Sequence, residues 1–433
     1  MDYKKMNQGQ LIEEKESLLR KINEFKAMEI KLNMSRGIPN PRVIDIAAKK
    51  FSGIDVYTSR IHKDKADLGT YNQSLLAGIR EAREFFAEIL DVEIENIIIG
   101  GNSSLNLMFD MFSQLMLHGN CDSERPWCHE EKIKFLCPVP GYDRHFAICE
   151  YMGIEMISVP MTGEGPDMSV VESFASSDSS IKGIWCVPLY SNPDGCIYSE
   201  KTVLRLATMK TAADDFRIFW DNAYSMHHLF ENDEKCVLNI LKECNSAGNP
   251  KRPYIFSSTS KISLPGSGIS AIAASIDNVR DILLRMKYQT IGYDKMNMIR
   301  HAIAFPDRAS VAEHMKKIAG ILRPNFEITL LTMERELGGL GIADWSCPSG
   351  GYFISFNSME GCASRIIGLC AETGVVLTPA GSTFPYGKDP LDANIRIAPT
   401  YPSYDEMKMA AEVFCTCVKY AVLEKITAGG RYD

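Results

Sequence analysis

The sequence predicts an α/β protein: a mostly parallel sheet of the seven-stranded type, flanked by helices, with a smaller α/β domain attached. Two observations predict it. From about residue 70 to about residue 300, short apolar runs alternate with stretches of helical length, the pattern of strands joined by crossover helices. Most of these runs also end in polar residues of ligand-binding type, and open α/β sheets place their crevice at the carboxyl ends of strands. With 433 residues the chain is long enough for two domains, each with its own core.

Composition narrows the class. A formal net charge of -8 and the lack of a basic stripe argue against nucleic acid as a partner. The thirteen cysteines form no repeated CxxC pair, so reduced thiols in a cytoplasmic setting are expected and no metal site is. The N-terminus is charged from its start and no window reaches the length of a membrane span, so neither export nor a membrane anchor is expected.

Residues 6–30 carry Leu11, Leu18, Leu19, Ile22 and Phe25 among Glu and Lys, an amphipathic helix. The next stretch, 31–41, contains Ser35-Arg36-Gly37-Ile38-Pro39-Asn40-Pro41 and cannot be helical. Arg36 beside Gly37 places a cation and an open backbone near a ligand, or simply makes a turn. Asp67 to Asn72 reads as a loop, and Leu75 to Leu90 as a helix with one apolar face. Asn96 to Leu105 then gives a short buried strand, Gly100-Gly101, Asn102-Ser103-Ser104 and a helix to about Leu117. Free amides and the helix dipole suit a phosphate there, while Asn and Ser equally suit an ordinary capped helix. His118 to Glu131 reads as a polar surface insertion.

Ile133 to Pro138 is the next strand, closing on Gly141-Tyr142-Asp143-Arg144-His145, where Tyr142 can stack on a planar ring and Arg144 can hold a carboxylate. Ile181 to Leu189 closes on Asn192-Pro193-Asp194-Gly195, strong turn chemistry by itself. Phe216 to Trp220 ends with Asp221-Asn222-Ala223-Tyr224. An aspartate there is costly unless a cation meets it. His227 and His228 are adjacent, face different ways, and read as structural. Tyr254 to Phe256 delivers Lys261 into a Ser- and Gly-rich segment with no adjacent carboxylate. Such an ammonium is either a surface lysine or a Schiff-base amine.

Beyond this sheet come a helix from Arg308 to Leu340, a strand from Gly350 to Phe356, a helix near Ser364 to Glu372, strands at Val375 to Leu377 and Asn394 to Ala398, and a closing helix from Ser403 to Lys425. Arg396 lies inside an apolar strand, where a guanidinium needs an anion. The division expected is residues 1–60 as an N-terminal helix and extended segment belonging to the small domain, 61–310 as the large domain and 311–433 as the C-terminal small domain.

The order of these parts, a Gly-rich helix start, an aromatic, Asn in an NPxG turn, Asp with Tyr three residues on, SxxK and a late strand Arg, resembles the fold-type I aminotransferases that use pyridoxal 5'-phosphate. The segments SRGIPNP, GGNSSLNLM, PVPGYDRHF and YSNPDG look like the MocR-like aminotransferases, which include the subgroup Ic aspartate aminotransferases. The resemblance implies that Lys261 bonds the coenzyme and shuttles a proton, that Asp221 pairs with the ring nitrogen, and that Tyr224 and Asn192 hydrogen-bond the ring hydroxyl oxygen. It implies that Tyr142 stacks on the ring, that Gly101, Asn102, Ser103 and Ser258 cradle the phosphate, and that Tyr71 reaches the phosphate of the neighbouring subunit of a homodimer. Arg396, with Asn192 and the backbone at Gly37, would bind the substrate α-carboxylate, and Arg144, or next Arg36, a distal carboxylate.

One departure stands out. The commoner pattern has a phosphate-contacting arginine eight positions after the lysine, and here Ile269 stands there, so Ser267 or local amides must substitute. The implied reaction is transfer of an amino group between aspartate or glutamate and 2-oxoglutarate or oxaloacetate. Transamination of aromatic, aliphatic or aminoadipate-type substrates and β-elimination are the alternatives on the same fold. A ligand-sensing regulator is disfavoured, because about thirty residues before SRGIPNP are too few for a DNA-binding domain.

Overall fold

The computed structural model describes residues 3–35, 37–56, 75–230 and 233–429. The sheet that organises it contains β2 (Ile97–Ile99), β3 (Lys134–Val139), β4 (Glu155–Thr162), β5 (Gly165–Pro166), β6 (Ile181–Cys186), β7 (Arg217–Asp221), β8 (Pro253–Ser258) and β9 (Ser270–Ala273), in the order β2-β9-β8-β7-β6-β3-β4-β5. Seven of these carry the sheet, and the eighth, β5, is a two-residue edge. The central pairs β4-β3, β3-β6, β6-β7 and β7-β8 are parallel. β9 is antiparallel to both β8 and β2.

β6, β7 and β8 are buried along their length, as parallel strands covered on both faces must be. Phe112, Phe135, Trp185, Phe219 and Phe256 fill one face, with Phe219 stacked on Phe256 at 5.4 Å and Phe112 on Trp185 at 5.2 Å. Because Cys186 pairs with Trp220 and Asp221 with Phe256, the carboxyl ends of β6, β7 and β8 stand side by side. That register brings the turns holding Asn192, Asp221 and Lys261 to one edge.

A second layer holds β10 (Ala343–Trp345), β11 (Ile354–Ser358) and β13 (Asn394–Ile397), all antiparallel, while β1 (Leu32–Asn33) pairs in parallel with β12 (Val375–Val376). The N-terminal segment is therefore tied to the C-terminal part of the chain. The helix Gln8–Ala27, closed by an Asn7 capping box, packs with the helix Tyr404–Thr427, which in turn packs on Arg308–Leu337. Among the described residues no helix is long and apolar enough to cross a membrane.

Two expectations change. The helix expected from Leu75 starts at Arg80, because Gly78 takes a φ of +96°, a conformation open to glycine, with Ile79 as the cap. The insertion after His118 is more than surface. Trp127 is fully buried and donates from Nε1 to Asp215 (2.9 Å), which also accepts from Ser123 (2.8 Å) and Lys182 (2.8 Å). Arg217 pairs with Asp122 at 2.7 Å and completes the clasp onto β7.

Buried histidines make stability pH-dependent. His301 donates from Nδ1 to the Asn297 carbonyl (2.8 Å), its Nε2 lies 3.0 Å from the Ser263 hydroxyl, and burial pushes it down to about 4. Its folded value lies below the usual value of about 6.5, so the unfolded chain binds more protons there. The stability this neutral imidazole contributes is complete above about pH 6.5 and lost as pH falls through about 4. His301→Gln is expected to be less stable at neutral pH, yet to lose less of its thermal midpoint than wild type when the pH is lowered from about 6.5 to about 4.5. Equal losses in the two proteins would remove His301 from the cause.

Candidate active site

Lys261 follows β8 in a tight turn, where the amides of Ile262 (3.0 Å) and Ser263 (2.7 Å) donate to the Thr259 carbonyl. His314 donates to the carbonyl of Ile262 (2.7 Å), the residue after the lysine. The turn is thus held from behind. The Lys261 amine sits 4.7 Å from the Tyr224 ring centroid and 6.0 Å from that of Tyr352. Burial lowers its pKa, while the Asp221 carboxylate pulls the other way. The net direction favours a neutral, nucleophilic amine.

Asp221 ends β7 and is buried. Its Oδ2 accepts from His145 Nε2 (3.0 Å), and the His145 ring lies parallel to Trp185 with centroids 4.1 Å apart. Oδ1 is buried and has no hydrogen-bond partner among the described residues. A carboxylate oxygen in that state calls for a cationic or N–H partner from a ligand. Tyr142, on the turn after β3, packs edge-on against His145 at 4.9 Å, and burial pushes its phenol up to about 12. Tyr224 is fully buried, and burial, followed by Tyr142 and Asp221, holds its phenol well above the ordinary value. Both phenols therefore act as neutral donors.

At the start of the helix Ser104–His118, Ser103 is the cap, and its hydroxyl accepts from the Leu105 amide (3.2 Å). The capped-helix reading is thus present in full. The same turn also meets the lysine loop. Ser258 donates to Ser260 (3.2 Å), Ser260 to the Asn102 carbonyl (3.0 Å), and Ser270 to the Gly101 carbonyl (2.8 Å). Gly101, Asn102, Ser103 and Ser258 are thereby brought together beside Lys261. Ile269 is buried in the core and bonds Thr259 through its own backbone, so it offers no side-chain donor. Ser267 is exposed, and Ser260 is the hydroxyl that stands at the junction.

Arg396, on β13, is buried, with its guanidinium over the Phe353 ring at 4.9 Å. Asn192, buried in the turn after β6, lies with Oδ1 3.4 Å from Arg396 Nη1. Gly37 closes against the tip of the Phe353 ring, where a Cβ would stand 2.8 Å from Cζ. A larger residue there would have to push the Phe353 ring aside. Arg144 is exposed on the first turn of the helix Asp143–Tyr151. Arg36 and Tyr71 lie outside the described residues.

Sequence reading passed over several residues that line this site. Asp143 pairs with Arg396 at 2.7 Å, and His145 holds Asp221. Both stand in the PGYDRHF segment, and the signal for His145 is its position one helical turn past Tyr142. His227, read as structural, packs at 5.5 Å from Tyr224 and 5.6 Å from Tyr352. Burial pushes it down to about 3, so it is neutral. The strand expected from Gly350 begins at Ile354, and the signal for Tyr352 is the Gly350-Gly351 pair before it, where Gly351 takes a φ of +80° and the backbone makes a close approach. Gly350 packs directly against the Tyr190 ring.

Comparison with known proteins bears on this arrangement. A sequence profile of the family described as aspartate amino-transferase matches residues 6–429. An aspartate aminotransferase of Corynebacterium glutamicum is 41% identical over 411 residues, 94% of this chain and 94% of that protein. The crystal structure of an aspartate transaminase from Corynebacterium glutamicum superposes with a TM-score of 0.94 at 39% identity, covering 98% of this chain and 99% of that one. The α-aminoadipate aminotransferase of Thermus thermophilus, solved with N-(5'-phosphopyridoxyl)-L-leucine, shares the fold at a TM-score of 0.72 and 18% identity, over 94% of this chain and 95% of that one.

Proposed function

This chain belongs to the aspartate amino-transferase family and is an aminotransferase, and from that premise we propose that it exchanges the amino group between aspartate or glutamate and 2-oxoglutarate or oxaloacetate, in two half-reactions. The family implies pyridoxal 5'-phosphate, and the residues present fit it. The observation that carries this reading is the buried Oδ1 of Asp221, without a hydrogen-bond partner among the described residues, which shares one sheet edge with an amine made less basic by burial. When bound, the coenzyme supplies an electron sink for charge developing at the substrate Cα and a carbonyl carbon that takes the amino group.

The chain's own residues would do the rest. Asp221, oriented by His145, holds a proton on the ring nitrogen. Tyr224 and Asn192 would hydrogen-bond the ring hydroxyl oxygen, and Tyr142 would cover the ring. Gly101, Asn102, Ser103 and Ser258 receive the phosphate, with Ser260 supplementing them where Ile269 gives no donor. Lys261 would hold the coenzyme covalently and, when free, would move the proton at Cα, for which a neutral amine is the competent form. Arg396 holds the α-carboxylate alongside Asn192 and Gly37.

The motifs SRGIPNP and YSNPDG support the finer placement among MocR-like enzymes of the subgroup Ic type. We further infer a large domain over 61–310, a small domain over 311–433 joined by 1–60, and a cytoplasmic homodimer in which Tyr71 completes the partner's site. The substrate reading rests on the 41% identical aspartate aminotransferase and is tested with a panel of amino donors. Aspartate and glutamate are expected to exceed alanine and phenylalanine in kcat/KM by about 100-fold or more. Arg144→Ala should erase most of that preference if Arg144 receives the distal carboxylate. Equal rates across the panel in the wild type would end the dicarboxylate reading, and release of pyruvate with ammonia from an added donor that carries a β leaving group, such as cysteine, in place of amino transfer would make the enzyme a lyase.

A further inference from the structure

The guanidinium read as the α-carboxylate site already has an anion. Arg396 Nη1 stands 2.7 Å from Asp143 Oδ1, across 253 residues of sequence. The rest of the group is poorly served. The same Nη1 lies 3.4 Å from Asn192 Oδ1, Nη2 reaches Thr378 Oγ1 only at 3.5 Å, and Nε is buried with no hydrogen-bond partner among the described residues. The two partners also differ in access to water, since the Arg396 side chain is 6% exposed and that of Asp143 is 34% exposed.

We propose that Asp143 is a specificity-determining residue, an internal carboxylate that neutralises Arg396 between turnovers and that an incoming α-carboxylate must displace. The proposal rests on the reading of Arg396 as the α-carboxylate site. A buried guanidinium left without an anion is strongly unfavourable, so the protein supplies one when no substrate is present. Asp143 suits an exchangeable role. It begins the helix Asp143–Tyr151, where the dipole favours a carboxylate, and its partial exposure lets it turn to water while Arg396 stays in place. The competition lowers the affinity of those ligands that must take Arg396 from Asp143, by the strength of the internal pair. Full carboxylates, which replace the ion pair by an equivalent one, still bind, whereas amides and esters leave Asp143 in possession of the arginine.

The test uses the coenzyme-loaded enzyme and succinate, a dicarboxylate without an amino group that cannot react. Asp143→Asn removes the competing charge and keeps the shape. Its dissociation constant for succinate, read by calorimetry, is expected to fall about tenfold or more relative to wild type. The KM for aspartate should fall with it while kcat does not rise, and aspartate α-amide should gain nothing. An unchanged or weaker succinate affinity overturns the proposal, because a residue that merely keeps Arg396 in register would weaken binding when lost. Equal tightening of the α-amide overturns it as well. Should Asp143→Asn fail to fold, Asp143→Ser removes the same charge and is read by the same measurement. Arg396→Lys separates this idea from its premise. If that variant binds succinate as wild type does, the assignment of Arg396 is at fault; if it loses succinate while Asp143→Asn fails to tighten, the competition alone is wrong.

Discussion

Lys261→Ala is expected to lower kcat by about 10⁴-fold or more, because one side chain is asked to attach the coenzyme and to move the proton at Cα, and a positioned general base alone is worth roughly 10²–10⁴. No nearby group is suited to replace it. The rings of Tyr224 and Tyr352 lie near its amine, and burial holds both phenols above their ordinary pKa, which keeps them protonated and unable to accept a proton. A second readout is independent of turnover. Borohydride treatment of the loaded wild type should fix the coenzyme to the peptide containing Lys261, and the same peptide position should stay unlabelled in Lys261→Ala. Fixation at a different lysine, or turnover within about tenfold of wild type, would displace Lys261 from this role.

Asp221→Asn is expected to lower kcat by about 10²- to 10³-fold while the protein stays folded, since the substitution keeps the volume and the His145 contact but removes the charge. The physical basis is the environment of the carboxylate. It is buried, one oxygen is fastened to an imidazole stacked on Trp185, and the other has no partner among the described residues. A fixed anion in a low-dielectric site acts strongly on any charge developing across from it, with no reorganisation at the moment of reaction. KM should change less than kcat, and circular dichroism should match wild type. A variant with unaltered kcat would make Asp221 a structural partner of His145 and nothing more.

Both predictions concern residues legible from sequence alone, and the reason is local. Parallel strands buried on both faces read as apolar runs, so a polar residue at the end of one, as in IFW-Asp221 or the turn to Asn192, stands out against its own neighbours. The SSTSK stretch announces itself in the same way, as a cation with nothing beside it to pair with. Arg396 was visible as a charge inside the apolar strand β13. Residues without such contrast stayed hidden. His145 and Asp143 lie in a helix of ordinary amphipathic composition, and His227 is one of two adjacent histidines whose exposure no pattern distinguishes.

By itself, then, the sequence determined the identity of the chemical groups and the order in which strand ends present them, because strand burial and turn chemistry depend on residues a few positions apart. It also determined that Ile269 gives no side-chain donor. Only the tertiary structure decided which groups meet. The parallel register of β6, β7 and β8 set Asn192, Asp221 and Lys261 on one edge, and the approach of Arg396 on β13 to Asp143 gave the guanidinium its anion. The physical reason is separation along the chain. Contacts such as Arg396 with Asp143, or Ser260 with Asn102, close loops of 253 and 158 residues, and nothing in the local sequence at either end encodes the partner. They are chosen by how the sheets and their connecting turns are arranged, which brings distant segments of the chain to one place.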